Sequence, residues 1–347
     1  MKSSKKRFWL KFMIIFTLTI SISAFFIPWR YLIIKFRPLS KTVQAEIDYA
    51  VEKQRFIGII AYVNDGVETT IYTAGYNDKD AKTSIEPDVL FKIASISKLY
   101  MAVAATKMID QGLLNVDDTI EKLLPAYKDS IDNADEITLK MLIQHRSGIR
   151  DYIDSPSFPW ATLPETKEEV LPLILNQKAL FEPNQKYDYS NSNYLLLAMI
   201  MDDVLGYTHD IFIKQEILDK HNLTNTYYYY SEANPANVMS GYELGYPYDL
   251  KQNDHITPGG TMVASIRDVG RFIRILNDGS LLSSSEQALY QTLYPLEHTG
   301  LLPGYQSIAK YDKETDQVII LFTNTSGKDS WFNFELIYQR IKRILSK

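Results

Sequence analysis

The chain has no cysteine, so it has no disulfide framework, thiolate metal site or cysteine nucleophile. Histidine is scarce as well. The five present (His145, His209, His221, His255 and His298) show neither His-x-His nor His-Glu-x-x-His spacing, so a zinc centre is not expected. No Gly-x-Ser-x-Gly run occurs, which argues against the strand-to-helix nucleophile turn of α/β-hydrolases. A glycine-rich phosphate loop, an internal repeat and a low-complexity linker are also missing. With 15 glycines and 14 prolines in 347 residues, a disordered or collagen-like chain is excluded.

What is present suits a folded body with its own core. The length allows one large domain or two smaller ones. Charge is uneven along the chain. Of the 37 basic residues, eight (Lys2, Lys5, Lys6, Arg7, Lys11, Arg30, Lys35 and Arg37) precede Pro38, and no acid does. The rest carries 29 basic against 42 acidic residues, a formal −13. An acidic body repels polyanions, so nucleic acid is not an expected partner.

Phe12 to Trp29 is a run of 18 residues without a charge, FMIIFTLTISISAFFIPW. As a helix it matches a bilayer core of about 30 Å. Phe25, Phe26, Trp29 and Tyr31 gather at its far end, where amphipathic rings favour the interface. The expectation is a single-pass anchor with residues 1–37 as tail and span, partnered by the bilayer through 12–29, and an extracytoplasmic body over 38–347. A cleaved signal peptide, cut near Ser21-Ile22-Ser23 and releasing a secreted protein, is the alternative.

Periodicity divides the body. VQAEIDYAVEKQ (43–54) reads as a helix with Val43, Ile47 and Val51 on one face. RFIGIIAYV reads as a buried strand, and Asn64-Asp65-Gly66 turns it into TTIYTAGY. A long helix follows Ser95 and stops at Gly112. Short helical stretches fill 113–255, then SIRDVGRFIRIL, two strand-like runs (YQSIAKY and QVIILFTN) and a closing helix, WFNFELIYQRIKRIL. Tyr227–Tyr230 reads as a strand with alternate rings buried. Strands at both ends with helices between imply α+β architecture in two lobes: a sheet lobe over about 45–110 and 256–347, and a helical lobe over about 111–255.

Three motifs carry chemistry. Ser95-Ile96-Ser97-Lys98 at a helix start puts a hydroxyl and an amine one turn apart on one face. Serine is a weak nucleophile, and a lysine whose pKa is lowered by burial can serve as its base. The helix N-terminus adds N–H groups suited to an oxyanion. Taken alone, the pattern also reads as a helix cap followed by a surface lysine; the same spacing recurs at Ser3…Lys6 and Ser307…Lys310 without a helix start. Tyr189-Ser190-Asn191 precedes SNYLLLAMIMDDVLG, so Tyr189 can relay a proton and Asn191 can hold a substrate amide. By itself it is more often a plain N-cap. In His298-Thr299-Gly300 the glycine lets a substrate lie along the strand edge and the Leu301 N–H can complete an oxyanion hole. His298, when protonated, can bind a carboxylate.

In the order Ser-x-x-Lys, Tyr-x-Asn, His-Thr-Gly, these motifs resemble the serine β-lactamase and penicillin-binding DD-peptidase family, in its class C β-lactamase-like branch. The resemblance covers roughly 45–345. Weaker markers are Leu142–Gly148, the run from Gly112 through Leu-Leu-Asn-Val-Asp-Asp, Gly259-Gly260-Thr261, and LTNTYYYY followed by Gly241-Tyr242. It implies an α/β sandwich, with an antiparallel sheet flanked by helices beside a mostly helical lobe. By that resemblance Ser95 is acylated, Lys98 and Tyr189 handle its proton, and Asn191 orients the acyl donor. His298, Thr299, Gly300 and Leu301 would form the substrate-binding strand, with no metal or organic cofactor.

Two departures stand out. The family's Tyr-Gly-x-Gly-Trp-like strand has no counterpart in SLLSSSEQALYQTLYPLE before His298. Asn184 replaces the glycine that commonly precedes Tyr-x-Asn. The class A Ser-Asp-Asn triplet is Tyr-Ser-Asn here, with no matching water-activating Glu. The expected activity is hydrolysis of D-amino-acid peptides or esters of the cell envelope, of DD-carboxypeptidase or esterase type. The alternative is a weakly catalytic penicillin-binding or sensor protein of the same fold.

Overall fold

The turn Asn64-Asp65-Gly66 closes a hairpin between β1 (Gly58–Asn64) and β2 (Thr69–Gly75). Asp65 Oδ1 accepts from the N–H groups of Val67 and Glu68, which fixes the turn locally. The structure, a computed structural model, describes residues 2–26 and 29–347. Ahead of the hairpin lie α1 (Lys2–Phe26), α2 (Trp29–Phe36) and α3 (Val43–Gln54), the last capped by Thr42. After it come β3 (Leu90–Lys92), a 3-10 turn at Ala94–Ile96 and α4 (Ser97–Asp110).

The helical lobe strings together α5 (Ile120–Leu123), α6 (Leu139–Ile143), α7 (Lys167–Val170), the longer α8 (Asn191–Leu205) and α9 (His209–Ile213). Short strands β4 (Thr226–Tyr227), β5 (Tyr242–Glu243) and β6 (Val263–Ser265) lead back to the sheet lobe. Along the tyrosine run, Tyr228 and Tyr230 are buried while Tyr227 and Tyr229 are half-buried. The chain closes with α10 (Ile266–Asp278), α11 (Ser284–Leu293), β7 (His298–Leu302), β8 (Tyr305–Asp312), β9 (Gln317–Thr323), β10 (Thr325–Ser326) and α12 (Ser330–Leu345).

The main sheet runs β2-β1-β9-β8-β7, antiparallel throughout, so both ends of the chain supply it. Period-2 alternation gives it two apolar faces. Ile59, Ala61, Ile319 and Leu321 face α3 and α12. Ile60, Tyr62, Ile320 and Phe322 join the larger core with α4, α8 and α10. Phe322 stacks on Phe91 at 4.4 Å between ring centres, and burying one such side chain contributes about 1.5–3 kcal/mol. β7 is the outer strand. Between Gly279 and His298 the chain forms α11 and no strand, so the edge of β7 is not covered by a preceding hairpin partner.

Arg340 fastens the start of this body to its end. It is 1% exposed. Its guanidinium donates to the carbonyls of Ile34 (3.0 Å), Arg37 (2.9 Å) and Pro38 (2.7 Å), and to Glu46 Oε1 (2.8 Å). Arg37 also pairs with Glu46. A buried charge persists only when paired and hydrogen-bonded, and this one is both.

Among the described residues, no helix is long and apolar enough to cross a membrane. The expected span 12–29 includes Ile27 and Pro28, which lie outside the described residues. The remaining apolar side chains of α1 that are described, such as Phe12, Ile15 and Ile22, stand exposed.

Candidate active site

Ser95 sits in the 3-10 turn that joins β3 to α4, behind a strained residue. Ala94 has φ +52°, in the left-handed region, where a residue with a side chain costs about 1–2 kcal/mol. Its neighbours hold it there. Ser97 Oγ donates to Ala94 O (2.6 Å) and accepts from Met262 N (3.2 Å). Ile93 N donates to Met262 O (3.0 Å), and Ser307 Oγ donates to Ile93 O (3.0 Å). The strain is therefore over-determined by strands on both sides, and Ser95 is aimed into the space between the lobes.

Lys98, one turn on, is fully buried. Its Nζ lies 3.1 Å from Ser95 Oγ, 2.8 Å from Asn191 Oδ1 and 2.9 Å from the Gly259 carbonyl. Burial pushes its ammonium down to about 7, against a smaller opposing pull from Asp151. The two oxygens besides Ser95 can only accept. In the neutral amine they take both N–H groups and leave the lone pair directed at the Ser95 hydroxyl. Gly259 has φ +82°, and a Cβ there would stand 3.0 Å from Lys98 Cγ; only glycine brings this carbonyl so close.

The Asn191 amide is oriented by Asp151. Asp151 Oδ2 accepts from Asn191 Nδ2 (2.8 Å) and from Asn191 N (3.0 Å) at the first turn of α8. With Nδ2 so occupied, Oδ1 faces Lys98. Burial raises the Asp151 carboxyl above its ordinary value, partly offset by these N–H groups.

Tyr189 OH donates to Ser95 Oγ at 2.9 Å. Burial raises its phenol far above the ordinary value, so Tyr189 is protonated at neutral pH and Lys98 is the group near Ser95 that titrates there. The Tyr189 ring stacks on His145 at 4.3 Å. His145 Nδ1 accepts from Ser190 N (3.2 Å); burial, with Lys98 and His298 nearby, pushes its pKa down to about 2. It serves as an uncharged platform that positions the tyrosine.

On the opposite wall, β7 lies against the Ser95 turn because residue 300 is glycine. A Cβ there would be 2.3 Å from Ser307 Oγ and 2.4 Å from the Ile93 carbonyl. His298 lies on the same strand with both ring nitrogens engaged. Nδ1 is bonded to the Thr299 carbonyl, which only accepts, so Nδ1 carries the hydrogen. Nε2 then accepts from Tyr294 OH at 2.8 Å. Burial and the nearby Lys98 push the imidazole down to about 4. A carboxylate grip would need the protonated ring, whereas here the ring is neutral and has no N–H to spare.

These groups open on one cavity of about 440 Å³ that Ser95, Tyr189, Asn191, His298, Thr299 and Leu301 all line. Much of the rest of its lining is apolar and aromatic, with Tyr152, Phe158, Trp160, Leu302, Pro303 and Trp331. All the residues singled out from sequence thus converge on this cleft or, for Lys98 and Gly300, directly behind it. Sequence reasoning gave no role to Asp151, His145, Gly259 or Tyr294. The Leu142–Gly148 and Gly259-Gly260-Thr261 runs were the signals that pointed at two of them. Among the described residues, no cluster of His, Asp or Glu could hold a metal ion.

The beta-lactamase family matches residues 43–295. Penicillin-binding protein 4* of Bacillus subtilis is 26% identical over 221 residues, 63% of this chain and 48% of that protein. Protein flp of Staphylococcus aureus is 26% identical over 282 residues, 73% of this chain and 56% of that protein. The chain therefore spans about half the length of these relatives. Among solved structures, D-amino acid amidase from Ochrobactrum anthropi SV3, complexed with D-phenylalanine, superposes with a TM-score of 0.75. It is 22% identical and covers 88% of this chain and 97% of its own.

Proposed function

Because this chain belongs to the beta-lactamase family, whose fold is that of serine hydrolases, we propose that it works through an acyl-enzyme on Ser95, cleaving D-amino-acid peptides or esters of the cell envelope. The observation that carries the reading is the neutral-amine geometry at Lys98, with both N–H groups held by Asn191 Oδ1 and the Gly259 carbonyl and its lone pair toward Ser95 Oγ. Lys98 takes the hydroxyl proton as Oγ attacks the acyl carbon. The backbone N–H groups of Ser95 and Leu301 receive the oxyanion. Tyr189, hydrogen-bonded to Oγ, passes a proton to the departing group and is reprotonated from Lys98. Water then releases the acyl group by the reverse proton path.

The D-configured, envelope-derived substrate is supported by two likenesses, to a D-amino acid amidase and to penicillin-binding proteins. Membrane attachment through residues 12–29, with the body outside, is supported by the uncharged run and by exposed Trp29, Ile33 and Phe36, which extend an apolar surface onto α2. A second reading, a sensor that is acylated without turnover, is favoured by one observation: between Gly279 and His298 the chain forms α11 and no strand that pairs with β7 to wall the cleft.

The test is intact-mass spectrometry and turnover of a p-nitrophenyl acyl ester by the full-length chain in detergent, beside Ser95→Ala. A covalent acyl adduct plus sustained release of p-nitrophenol, both lost in the variant, is expected. An adduct without sustained release selects the sensor, and absence of both sinks the acyl-enzyme.

A further inference from the structure

The residues that line the cleft are notable for their charge. Among the described residues around the 440 Å³ cavity there is no Lys, Arg, Asp or Glu. The basic side chains close to this lining are committed elsewhere: Lys92, beside His255, donates to the carbonyls of Lys251 (2.6 Å) and Asn253 (2.5 Å). Lys98 lies behind the wall and is spent on Ser95, Asn191 and Gly259. Lys310 pairs with Glu297 at 3.0 Å, and Arg146 donates to Asn184 through Nε (2.6 Å) and Nη2 (2.7 Å).

The two histidines of the lining do not compensate. His298 spends its single N–H on the Thr299 carbonyl and its lone pair on Tyr294 OH. His255 is held neutral by burial and by Lys92. The same lining holds Phe158, Trp160 and Trp331, surfaces that gain by covering apolar groups and lose by stripping water from a charge. A carboxylate seated here would give up its hydration and meet only neutral donors such as the Thr299 hydroxyl.

We infer that the cleft selects acyl donors whose leaving group carries no carboxylate, namely esters and amides with an apolar or aromatic acyl side chain, and disfavours free-acid peptides. The inference rests on the acyl-enzyme reading and narrows it to the esterase and amidase side. The recognition residues are His298, fixed neutral by Tyr294, and the aromatic wall of Phe158, Trp160 and Trp331.

A matched pair of substrates tests it on the full-length chain in detergent. N-acetyl-D-phenylalanine is esterified to the hydroxyl of D-lactic acid in one compound and of D-lactamide in the other, so only the charge differs. The lactamide ester is expected to show kcat/KM higher by about 10- to 100-fold, the range of one missing charge-assisted hydrogen bond. Equal rates, or a preference for the lactate ester, would overturn the inference and leave the hydrolase reading intact. Cleavage of neither ester would remove the hydrolase reading and the inference with it. His298→Lys, which places a cation on the same strand, is expected to narrow the ratio by about tenfold. A folded variant with an unchanged ratio would also count against the inference.

Discussion

The most informative perturbation of this site is pH, because one residue near Ser95 is poised to titrate in the neutral range. Lys98 is buried, its ammonium is pushed down to about 7, and the neutral amine is the form that can accept the Ser95 proton. With that value the reactive fraction is about one tenth at about pH 6, half at about pH 7 and nine tenths at about pH 8. The kcat/KM for an uncharged p-nitrophenyl ester should therefore rise about tenfold between about pH 6 and about pH 8 and then level off. An ordinary lysine near 10.4 would instead give a rise of about a hundredfold with no plateau below about pH 10. Tyr189 adds no descending limb in this range, since its phenol is held protonated. Lys98→Arg separates a base from a mere charge: it keeps the cation but cannot release a proton, and is expected to lose about 10²–10⁴ in rate. A flat profile, a rise continuing past about pH 8, or an active arginine variant would each refute the assignment. The same displacement bears on stability. The folded chain binds fewer protons at Lys98 than the unfolded chain between about 7 and about 10.4, so this group makes stability rise with pH across that window. Below it both states are protonated and the burial of the charge costs on the order of 5 kcal/mol. The site thus trades stability for a usable base.

Gly300→Ala would drive a methyl group into Ser307 Oγ, the Ile93 carbonyl and Ala94 Cβ. β7 must then move off the Ser95 turn, and kcat/KM is expected to fall about 100-fold with a lowered Tm, read by ester hydrolysis and thermal denaturation; wild-type rates would show that this contact does not set the cleft. Arg340→Met leaves the fully buried Glu46 without its principal partner, and urea denaturation should show a loss of about 3–5 kcal/mol. Adding Glu46→Gln should recover part of that loss; no recovery would mean the pair is not what the guanidinium stabilises. Burial pushes the Glu46 carboxyl up, but hydrogen bonds from Arg340, Ser40 and Arg37 leave it below the ordinary value. Its contribution is therefore present above the unfolded carboxylate pKa and is lost as pH falls through the folded one.

What could be read in the sequence is what depends on near neighbours. The Asn64-Asp65-Gly66 turn, the helix at 43–54 and the alternation in β8 and β9 are local patterns, and they describe the sheet lobe. Ser95 and Lys98 are three residues apart in a helical turn, so their meeting follows from spacing. The partners that orient Lys98 do not. The Gly259 carbonyl is 161 residues away from it, and Asp151 reaches Asn191 across 40; no periodicity links such positions. His298 shows the limit most clearly. Its residue type already leaves it mostly neutral near pH 7, but which nitrogen carries the hydrogen, and that none is free, follow only from the packing of Tyr294 and the Thr299 carbonyl around the ring. Residues 12–29 are the reverse case: their signal lies in composition alone, and two of them are outside the described residues.

Arg340 also decides where a workable fragment of this protein begins. A fragment started at Val43, where the family match starts, retains every residue of the cleft. It nevertheless discards the carbonyls of Ile34, Arg37 and Pro38 that a buried guanidinium uses, together with Arg37 itself beside Glu46. The cooperative unit for expression, crystallisation or calorimetry thus extends upstream into α2, at least to the buried Ile34, and trimming the segment between α2 and α3 as if it were a spacer would cut into the last helix's support from the far end of the chain.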